Sequence, residues 1–398
     1  MRSPSGWRKC LLHHVAQVRS GLSKSSNRKG ATIRMPYLRV ANVQDGFLDL
    51  SEIKEIDVPI SQVARFTLEA GDLLLIEGNG NPENLGRGCI WDGQIADCVH
   101  QNHIFAVRML SEAEMTPAFL ALQLQSDRGR DYLLSCAKSS TGLSTLNSAQ
   151  LKEFPVLVPS IEEQQVISNT VENWDSAIQK IKQLIAAKDQ RLDTFRNTLL
   201  RKPERSSLAA LRTGTQESTK RNGNTLGREA VMAVTKQVGM RPMREETIAA
   251  GIERYKVVPP RAFAYNPMRL NIGSIAMSPF DSDTLVSPDY VVFACNESAL
   301  LPGYLHHLRF TKAWQNHFEL AGNGSVRVRI YYSDLATFTF ALPPIEVQTR
   351  IVRLLDAAAL EIALLHRQAK YLREQKRGLM QKLLTGEWRL PLPEREPA

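Results

Sequence analysis

One short motif occurs twice in the chain, and each copy opens a long stretch of apolar residues at helical spacing. The first copy, Pro-Ser-Ile-Glu-Glu-Gln, begins at Pro159, and the second, Pro-Pro-Ile-Glu-Val-Gln, begins at Pro343. An offset of 184 residues, Gln348 minus Gln164, superposes the two copies and the apolar positions around them. The chain has 398 residues, so this period is near half its length and far longer than the roughly 20–50 residues of a solenoid repeat. We therefore infer a tandem duplication of one large unit.

The apolar residues behind each motif recur at steps of three and four, which is the spacing of a heptad repeat. Prolines precede both stretches and Pro203 follows the first, so each helix is expected to run for about 40 residues, or ~60 Å. Lys376 interrupts the second pattern where the first has Leu192. Helices of this length cannot bury an apolar stripe against a small domain, so we expect them to pack along each other. The predicted seam comprises Ile167, Val171, Trp174, Ile178, Ile181, Ile185, Leu192, Phe195, Leu199, Ile351, Leu355, Ile362, Leu365, Leu379 and Leu383.

Matching seams in two copies of one unit favour a pseudo-twofold axis between them, which would make the helix pair antiparallel. The globular parts would then lie at opposite ends of a rigid spacer. A parallel stalk is the alternative, because the long segment between the helices allows either arrangement.

The segments ahead of the helices predict mixed, β-rich domains. Strand-like runs at Tyr37–Val43, Asp72–Gly78 and His103–Leu110 are followed by a helical pattern over Thr116–Cys136, and the second half has the same order. The predicted fold class is α+β, with two globular mixed α/β domains separated by two long antiparallel coiled-coil helices in a pseudo-twofold internal repeat. The predicted boundaries are 1–157 and 203–341 for the globular domains, with 203–230 linker-like, and 158–202 and 342–398 for the helical regions.

The positive charge of the chain is unevenly distributed. The net charge is +9, and residues 1–40 hold nine Lys and Arg with no Asp or Glu. Residues 201–244 hold ten basic residues against three acidic ones. Concentrated positive charge indicates a polyanionic partner, with nucleic acid as the first candidate, and two solvated basic surfaces as the alternative.

The spacing of the cysteines and the hydropathy of the chain indicate in which cellular compartment the protein is located. The five cysteines are scattered, and no two have the spacing of a zinc site or a disulfide framework. No apolar run approaches the ~18–20 residues that span a membrane, and the N-terminus has no apolar signal core. A reduced, cytoplasmic location is therefore expected.

The sequence lacks the motifs of a catalytic centre. The glycine-rich stretch Glu77–Gly88 lacks both common phosphate-binding patterns, so a loop between strands is the better interpretation. Tyr265–Arg269 reads Tyr-Asn-Pro-Met-Arg, which has Met-Arg where the methyltransferase motif needs Pro-aromatic. The adjacent pairs His13–His14 and His306–His307 cannot share a metal without other ligands. We therefore expect a recognition protein with no catalytic residues, no metal and no cofactor of its own.

Nearly the whole chain resembles the specificity subunits of type I restriction–modification systems. The resemblance is carried by "VPSIEEQQVI" and "LPPIEVQTRI", the long helices behind them, and the C-terminal "LMQKLLTGEWRL". In the first half "YLRVANV", "EAGDLLLIEGNG" and "STLNSAQLKEFPV" contribute as well. The second half departs at Arg261-Ala262, which replaces Gly71-Asp72, and the polar stretch Lys202–Glu229 is unusually long.

The resemblance implies two target recognition domains, each reading one half of a bipartite site in double-stranded DNA. It also implies that the antiparallel helices fix the length of the spacer between the two half-sites, whose bases are not read. The same helices would dock two methyltransferase subunits, which bring S-adenosylmethionine and methylate adenine. Motor-nuclease restriction subunits would join for cleavage. Half-sites about one helical turn apart, ~34 Å, would lie on the same face of the DNA.

Base and phosphate contacts require basic, amide and hydroxyl side chains at loop tips. The residues predicted to contact DNA in the first half are Arg39, Asn79, Asn81, Arg87, Gln101, Asn102, Ser140, Thr141, Ser144 and Thr145, and in the second half Tyr265, Asn266, Arg269, Asn271, Asn323, Ser325, Arg327 and Arg329. Two other functions stay open at this point. One is a coiled-coil protein–protein adaptor without sequence-specific DNA binding, and the other is RNA binding, for which no signature motif is present.

Overall fold

The computed structural model describes residues 5–23, 30–79, 81, 84–140, 143–236, 238–320 and 329–392. Over these residues the protein is a mixed helix and sheet structure that divides into two compact units. Unit 1 comprises Met1–Lys180 and Ala369–Ala398, and unit 2 comprises Ile181–Gln368. Both divisions fall inside a long helix.

Unit 1 contains short strands, a few short helices and parts of the two long helices. Its strands are β1 (Arg8–Leu11), β2 (Ala16–Ser20), β3 (Thr32–Leu38), β4 (Lys54–Pro59), β5 (Leu73–Ile76), β6 (Gly78–Asn79), β7 (Gly88–Ile90), β8 (Val99–His100), β9 (Ile104–Met109), β10 (Lys138–Ser140), β11 (Leu143–Thr145) and β12 (Pro155–Val158). Its helices are α1 (Val63–Phe66), α2 (Pro117–Gln125), α3 (Asp127–Cys136), α4 (Ser148–Lys152), the first part of α5 (Ile161–Leu199) and the last part of α9 (Ile345–Leu384).

The central sheet of unit 1 is antiparallel, with strand order β2-β9-β5-β7. Side chains along β5 alternate between two buried faces, because successive residues of a strand point to opposite sides. Leu73 and Leu75 lie in one core cluster, whereas Leu74 and Ile76 lie in another. The unbroken apolar run of β5 follows from burial on both faces.

The larger core of unit 1 joins this sheet to the long helices. It contains Phe105 of β9, Phe119 of α2, Ile167 of α5 and Leu383 of α9, all nearly inaccessible to solvent. Lys376, the residue that interrupts the predicted seam, places its Nζ 2.6 Å from a carboxylate oxygen of Asp175. The ammonium is therefore neutralised where a leucine would otherwise be buried.

Unit 2 contains β13 (Ser207–Ala210), β14 (Thr215–Ser218), β15 (Met232–Thr235), β16 (Gly239–Pro242), β17 (Lys256–Val258), β18 (Phe263–Tyr265), β19 (Ile275–Met277), β20 (Thr284–Val286), β21 (Val291–Cys295) and β22 (Thr339–Leu342). Its helices are α6 (Pro302–Leu308), α7 (Lys312–Leu320), α8 (Tyr332–Leu335), the rest of α5 and the first part of α9. The central antiparallel sheet has strand order β14-β21-β18-β19. Phe263 stacks on Phe293 on one face of this sheet, and the β15–β16 hairpin packs against Ala264 and Val292 on the other.

The predicted seam residues of α5 and α9 are buried or half-buried. The buried ones are Ile167, Val171, Ile178, Ile185, Leu192, Ile351, Leu355, Ile362 and Leu383. The half-buried ones are Trp174, Ile181, Phe195, Leu199, Leu365 and Leu379. From Val171 to Leu192 the buried residues of α5 recur every seven positions, as a heptad pattern requires.

The motif glutamines are fully buried and make matching hydrogen bonds within each unit. In unit 1, Oε1 of Gln164 accepts from the N–H of Thr116 at 2.8 Å, and its Nε2 donates to the carbonyls of Glu114 and Pro159 at 2.7 and 3.0 Å. In unit 2, Oε1 of Gln348 accepts from the N–H of Leu301 at 2.9 Å. Its Nε2 donates to the carbonyls of Ala299 and Pro343 at 2.8 and 2.9 Å.

Two predicted elements differ from the structure. The strand predicted at Tyr37–Val43 instead ends at Leu38, because the Asn42 side chain accepts from the Arg39 N–H and donates to two carbonyls, which folds the chain into a turn. The helix predicted over Thr116–Cys136 is divided at Ser126. The Ser126 hydroxyl accepts from the Gly129 N–H and caps a second helix, as serine commonly does at a helix start.

Candidate nucleic-acid interface

In unit 2, the loop between β18 and β19 holds several residues predicted to contact DNA. Asn266 opens the loop, and its Oδ1 accepts from the Met268 N–H at 3.0 Å. The Arg269 N–H donates to the Asn266 carbonyl at 2.9 Å, and the Ser274 N–H donates to the Arg269 carbonyl at 3.0 Å. These tight turns leave the side chains of Arg269 and Asn271 exposed.

Tyr265, the residue before this loop, lies in the core. Its ring is fully buried and packs edge-on against Phe293, with ring centroids 6.3 Å apart. Its hydroxyl has no hydrogen-bond partner among the described residues, and burial raises the pKa of this phenol. Tyr265 therefore supports the loop from beneath.

A cleft of about 210 Å³ lies beside the loop. The N–H of Ile330 donates to the Pro267 carbonyl at 3.1 Å, which brings Arg329 and Tyr331 to the edge of the loop. The cleft is lined by Glu217, Lys256, Asn266, Pro267, Met268, Pro288, Asp289, Val291, Arg329 and Tyr331. It thus combines charged, amide and aromatic groups from several separate segments of the chain.

The electrostatics of the cleft depend on two carboxylates and two cations. Lys256 is buried and donates from Nζ to the Tyr290 carbonyl at 2.6 Å. Burial lowers the pKa of this lysine and nearby Arg221 lowers it further, whereas Glu217 and Asp289 oppose the change. A hydrogen bond and charge interaction with Tyr331 raise the pKa of Arg329, and Asp289 contributes in the same direction.

The sequence analysis missed Glu217, Lys256, Asp289 and Tyr331. These residues lie in β14, in β17, just before β21 and before α8, and only the folded sheet brings them together. A search for acidic residues close to predicted strand ends could have identified Glu217, but no local motif marks the set.

In unit 1, the small sheet β10-β11-β6 carries other predicted residues. Ser144 of β11 pairs with Asn79 of β6, and Ser140 of β10 pairs with Leu143. Thr145, at the end of β11, has an exposed side chain. Close to this sheet, a carboxylate oxygen of Glu77 lies 2.7 Å from Nδ1 of His103.

Other predicted residues of unit 1 already have partners within it. Arg39 forms an ion pair with Glu52 at 2.9 Å, and only 19% of its side chain is exposed. Gln101 accepts from the Val40 N–H at 3.3 Å. These contacts use a guanidinium nitrogen of Arg39 and the amide oxygen of Gln101, which are then less available to a ligand.

The remaining predicted residues vary in exposure. Asn81 is exposed, and Asn102 and Arg87 are half-buried. The Nε of Arg87 is buried and has no acceptor among the described residues. Thr141, Asn323, Ser325 and Arg327 lie outside the described residues.

The described residues contain neither a metal-binding cluster nor a membrane-spanning helix. No group of three or more His, Cys, Asp and Glu residues in this part of the chain could hold a metal ion. None of the helices described here combines the length and the apolar character that crossing a bilayer requires.

Comparison with protein families gives a match over residues 4–187, to the type I restriction modification DNA specificity domain. The EcoKI specificity subunit of the type I restriction enzyme from Escherichia coli (strain K12) is 26% identical over 200 residues, which is 49% of this chain and 42% of the relative. The putative MjaX specificity subunit from Methanocaldococcus jannaschii is 22% identical over 432 aligned positions, covering 97% of this chain and 95% of the relative.

A solved structure is similar over the full length. It is a chain from a type I R-M system, reported in work on complex assembly and conformational transition. The TM-score is 0.61 with 16% identity, and the match covers 98% of this chain and 100% of the other. This likeness establishes a common fold. The match to the Escherichia coli relative, in contrast, spans about two-fifths of that protein.

Proposed function

The chain belongs to the specificity-subunit family of type I restriction–modification systems, and we propose that it is the DNA-recognition subunit of such a complex. The observation that carries this proposal is the family match over residues 4–187, supported by a relative that aligns over 97% of the chain. The subunit itself catalyses no reaction in this proposal. Its role is to hold double-stranded DNA in a sequence-dependent position.

Each half of the chain would read one half of a bipartite DNA site. Polar loops support this assignment in both halves: the β6 and β11 region in unit 1, and the β18–β19 loop with Arg269 and Asn271 in unit 2. The central sheets have corresponding strand orders, β2-β9-β5-β7 and β14-β21-β18-β19, as a tandem duplication would produce. Different side chains on a common plan suit the reading of two different sequences.

The long helices would form an antiparallel coiled coil that relates the two recognition domains by a pseudo-twofold axis. Within unit 1, Asp175 of α5 pairs with Lys376 of α9, and within unit 2, Lys188 of α5 pairs with Glu361 of α9. From the first pair to the second, the residue number rises in α5, from 175 to 188, and falls in α9, from 376 to 361. Opposite numbering along the two helices supports the antiparallel direction. We propose the domain boundaries that the sequence predicts, with recognition domains at 1–157 and 203–341 and helical regions at 158–202 and 342–398.

The helices would also dock two methyltransferase subunits, and restriction subunits would join for cleavage. Exposed apolar side chains on α9, among them Leu360 at 61% and Leu364 at 45%, are suitable for such an interface. S-adenosylmethionine would bind to the methyltransferase subunits. Those subunits must extrude an adenine from the duplex, while this chain holds the flanking DNA.

Binding to duplex DNA with and without the methyltransferase subunits tests the proposal. We expect the assembled complex to bind duplex DNA with an affinity that falls as salt rises, because phosphate contacts release counterions. We also expect methylation of a split motif with a fixed gap. A protein–protein adaptor would give no duplex affinity in either state, and an RNA-binding protein would prefer single-stranded RNA; either result would refute the proposal.

A further inference from the structure

The cleft beside the β18–β19 loop has hydrogen-bonding capacity of a particular pattern. Resting on the proposed function, we propose that this cleft selects an adenine in the half-site read by unit 2, with Glu217 accepting from the base and Asn266 donating to it. Glu217 and Asn266 would then be specificity-determining residues for one base position.

Few polar groups of the cleft are free to bind a ligand, and this limits the kinds of ligand that the cleft can recognise. Within the described part of the chain, the carboxylates of Glu217 and Asp289 accept no hydrogen bond and form no ion pair. The Asn266 Oδ1 is occupied by the Met268 N–H, which also fixes the orientation of the amide. Its Nδ2 has no acceptor among the same residues, so the cleft offers carboxylate acceptors and an amide donor in addition to the cations Lys256 and Arg329.

This pattern distinguishes between the bases at the edge they expose in the major groove. Adenine presents an amino donor beside the N7 acceptor, which matches a carboxylate acceptor beside an amide donor. Guanine and thymine present carbonyl oxygens that a carboxylate repels, and cytosine presents its amino donor without a neighbouring acceptor. A carboxylate on a surface that faces a polyanion also requires compensation, and the buried ammonium of Lys256 provides positive charge beside Glu217.

The neighbouring residues anchor Asn266 and add a cation to the cleft. Tyr265, the residue before Asn266, is fully buried and anchors the start of the loop, and the negative charge of Glu217 contributes to the raised pKa of its phenol. Arg329, at the edge of the same cleft, is exposed and can reach a phosphate group. The cleft therefore combines base-reading groups with an adjacent phosphate-binding cation.

The test uses the chain assembled with its methyltransferase subunits and a library of duplexes with randomised sequence, read out as the methylated motif. Glu217→Ala removes the acceptor for the adenine amino group together with the negative charge that repels the O6 of guanine. We expect this variant to lower the preference for adenine over guanine at one position about tenfold, since a bidentate base contact contributes ~1–3 kcal/mol of discrimination. Asn266→Asp, which keeps the turn and removes the donor, should reduce adenine preference at the same position.

The controls separate the two proposals. Glu246→Ala removes an exposed carboxylate of the same unit outside the cleft and should leave the motif unchanged. If the wild-type complex methylates no split motif, the proposed function fails. If it does methylate one but Glu217→Ala and Asn266→Asp leave every position unchanged, with melting temperatures equal to that of the wild type, only the assignment of the cleft is overturned.

Discussion

Gln164 and Gln348 make the same three hydrogen bonds, each within its own unit. In each case the side-chain amide joins the start of a long helix to the segment just before a short helix, α2 or α6. A glutamine suits this position because one amide both accepts and donates. The repeated motif therefore reflects a structural joint that each half requires.

Replacement of this glutamine should destabilise unit 1. Gln164→Ala leaves the Thr116 N–H and two carbonyls without partners in a buried site, so we expect a loss of about 2–4 kcal/mol in the free energy of unfolding. Urea denaturation of the full chain measures it. The neighbouring Gln165→Ala removes an exposed side chain and should cost less than ~0.5 kcal/mol. Equal effects of the two changes would contradict the role of the joint.

A second prediction concerns the buried carboxylate of Asp72, of which only 1% is exposed. Arg108 donates to both of its oxygens, from Nε and Nη2, each at 2.7 Å. Arg108→Ala would leave an uncompensated buried charge, so we expect a loss of ~3–5 kcal/mol. Glu69→Gln removes the exposed partner of the same arginine and should cost under ~1 kcal/mol in the same denaturation experiment.

Burial along α9 is tested by two adjacent leucines. Leu355 is inaccessible to solvent, whereas half of Leu354 is exposed. Leu355→Ala should cost about 2–5 kcal/mol, because it removes a buried side chain and leaves a cavity. Leu354→Ala should cost under ~1 kcal/mol by the same measurement. A smaller effect at Leu355 than at Leu354 would contradict the burial pattern of the helix.

A backbone feature predicts a stabilising substitution. Arg261 has φ +62°, in the left-handed region, whereas Gly71, its counterpart in the first half, has φ +95°. Because a left-handed conformation strains a residue with a side chain, Arg261→Gly should stabilise unit 2 by up to ~1 kcal/mol. Arg261→Ala removes the exposed ion pair with Glu297 but keeps the strain, so it should not stabilise. Equal melting temperatures for the two variants would contradict this account.

The stability of unit 2 should fall in acid. Burial, together with the neighbouring charges of Arg309, His307 and Arg196, lowers the pKa of His306 from 6.5 to about 3. Burial also lowers the pKa of His307, although the hydrogen bond that the Asp356 carboxylate accepts from its Nε2 opposes this change. The unfolded chain therefore binds a proton below pH 6.5 that the folded chain does not. Stability should decrease as pH falls from 6.5 towards 3, by up to about 1.4 kcal/mol per pH unit through His306, and His307 contributes in the same direction.

Hydrogen exchange of peptides covering α6, measured between pH 7 and pH 5, would report this dependence after correction for intrinsic rates. His306→Gln should make the dependence on pH shallower, because it removes one titrating group. His366→Gln changes an exposed histidine and should have little effect. An unchanged slope in His306→Gln would refute the explanation.

Parts of this architecture could be predicted from sequence because local patterns determine them. The repeated motif and its heptad spacing identified two long helices, and Pro117 marked the start of α2. The break at Ser126 was missed, since the apolar pattern continues across it and only the Ser126 hydroxyl, by capping α3, divides the helix. Local periodicity does not contain this information.

The candidate site was harder to predict, because its residues are distant in sequence. Asn266 and Arg329 were identified as polar residues in loops, but Glu217 and Asp289 join them only when β14 and β21 pair. Tyr265 was predicted to contact DNA, yet the alternation of side chains along β18 directs it into the core. Which face of a strand is buried depends on long-range pairing.

The joint made by Gln164 has a consequence for how such a chain can change over time. Its partners are the N–H of Thr116 and the carbonyls of Glu114 and Pro159. Any residue supplies these main-chain groups, except that a proline at the position of Thr116 would lack the N–H. A domain with entirely different surface residues could therefore be grafted onto the same helix without rebuilding this attachment. New binding preferences could in this way arise by exchange of whole modules, while the supporting helices stay the same.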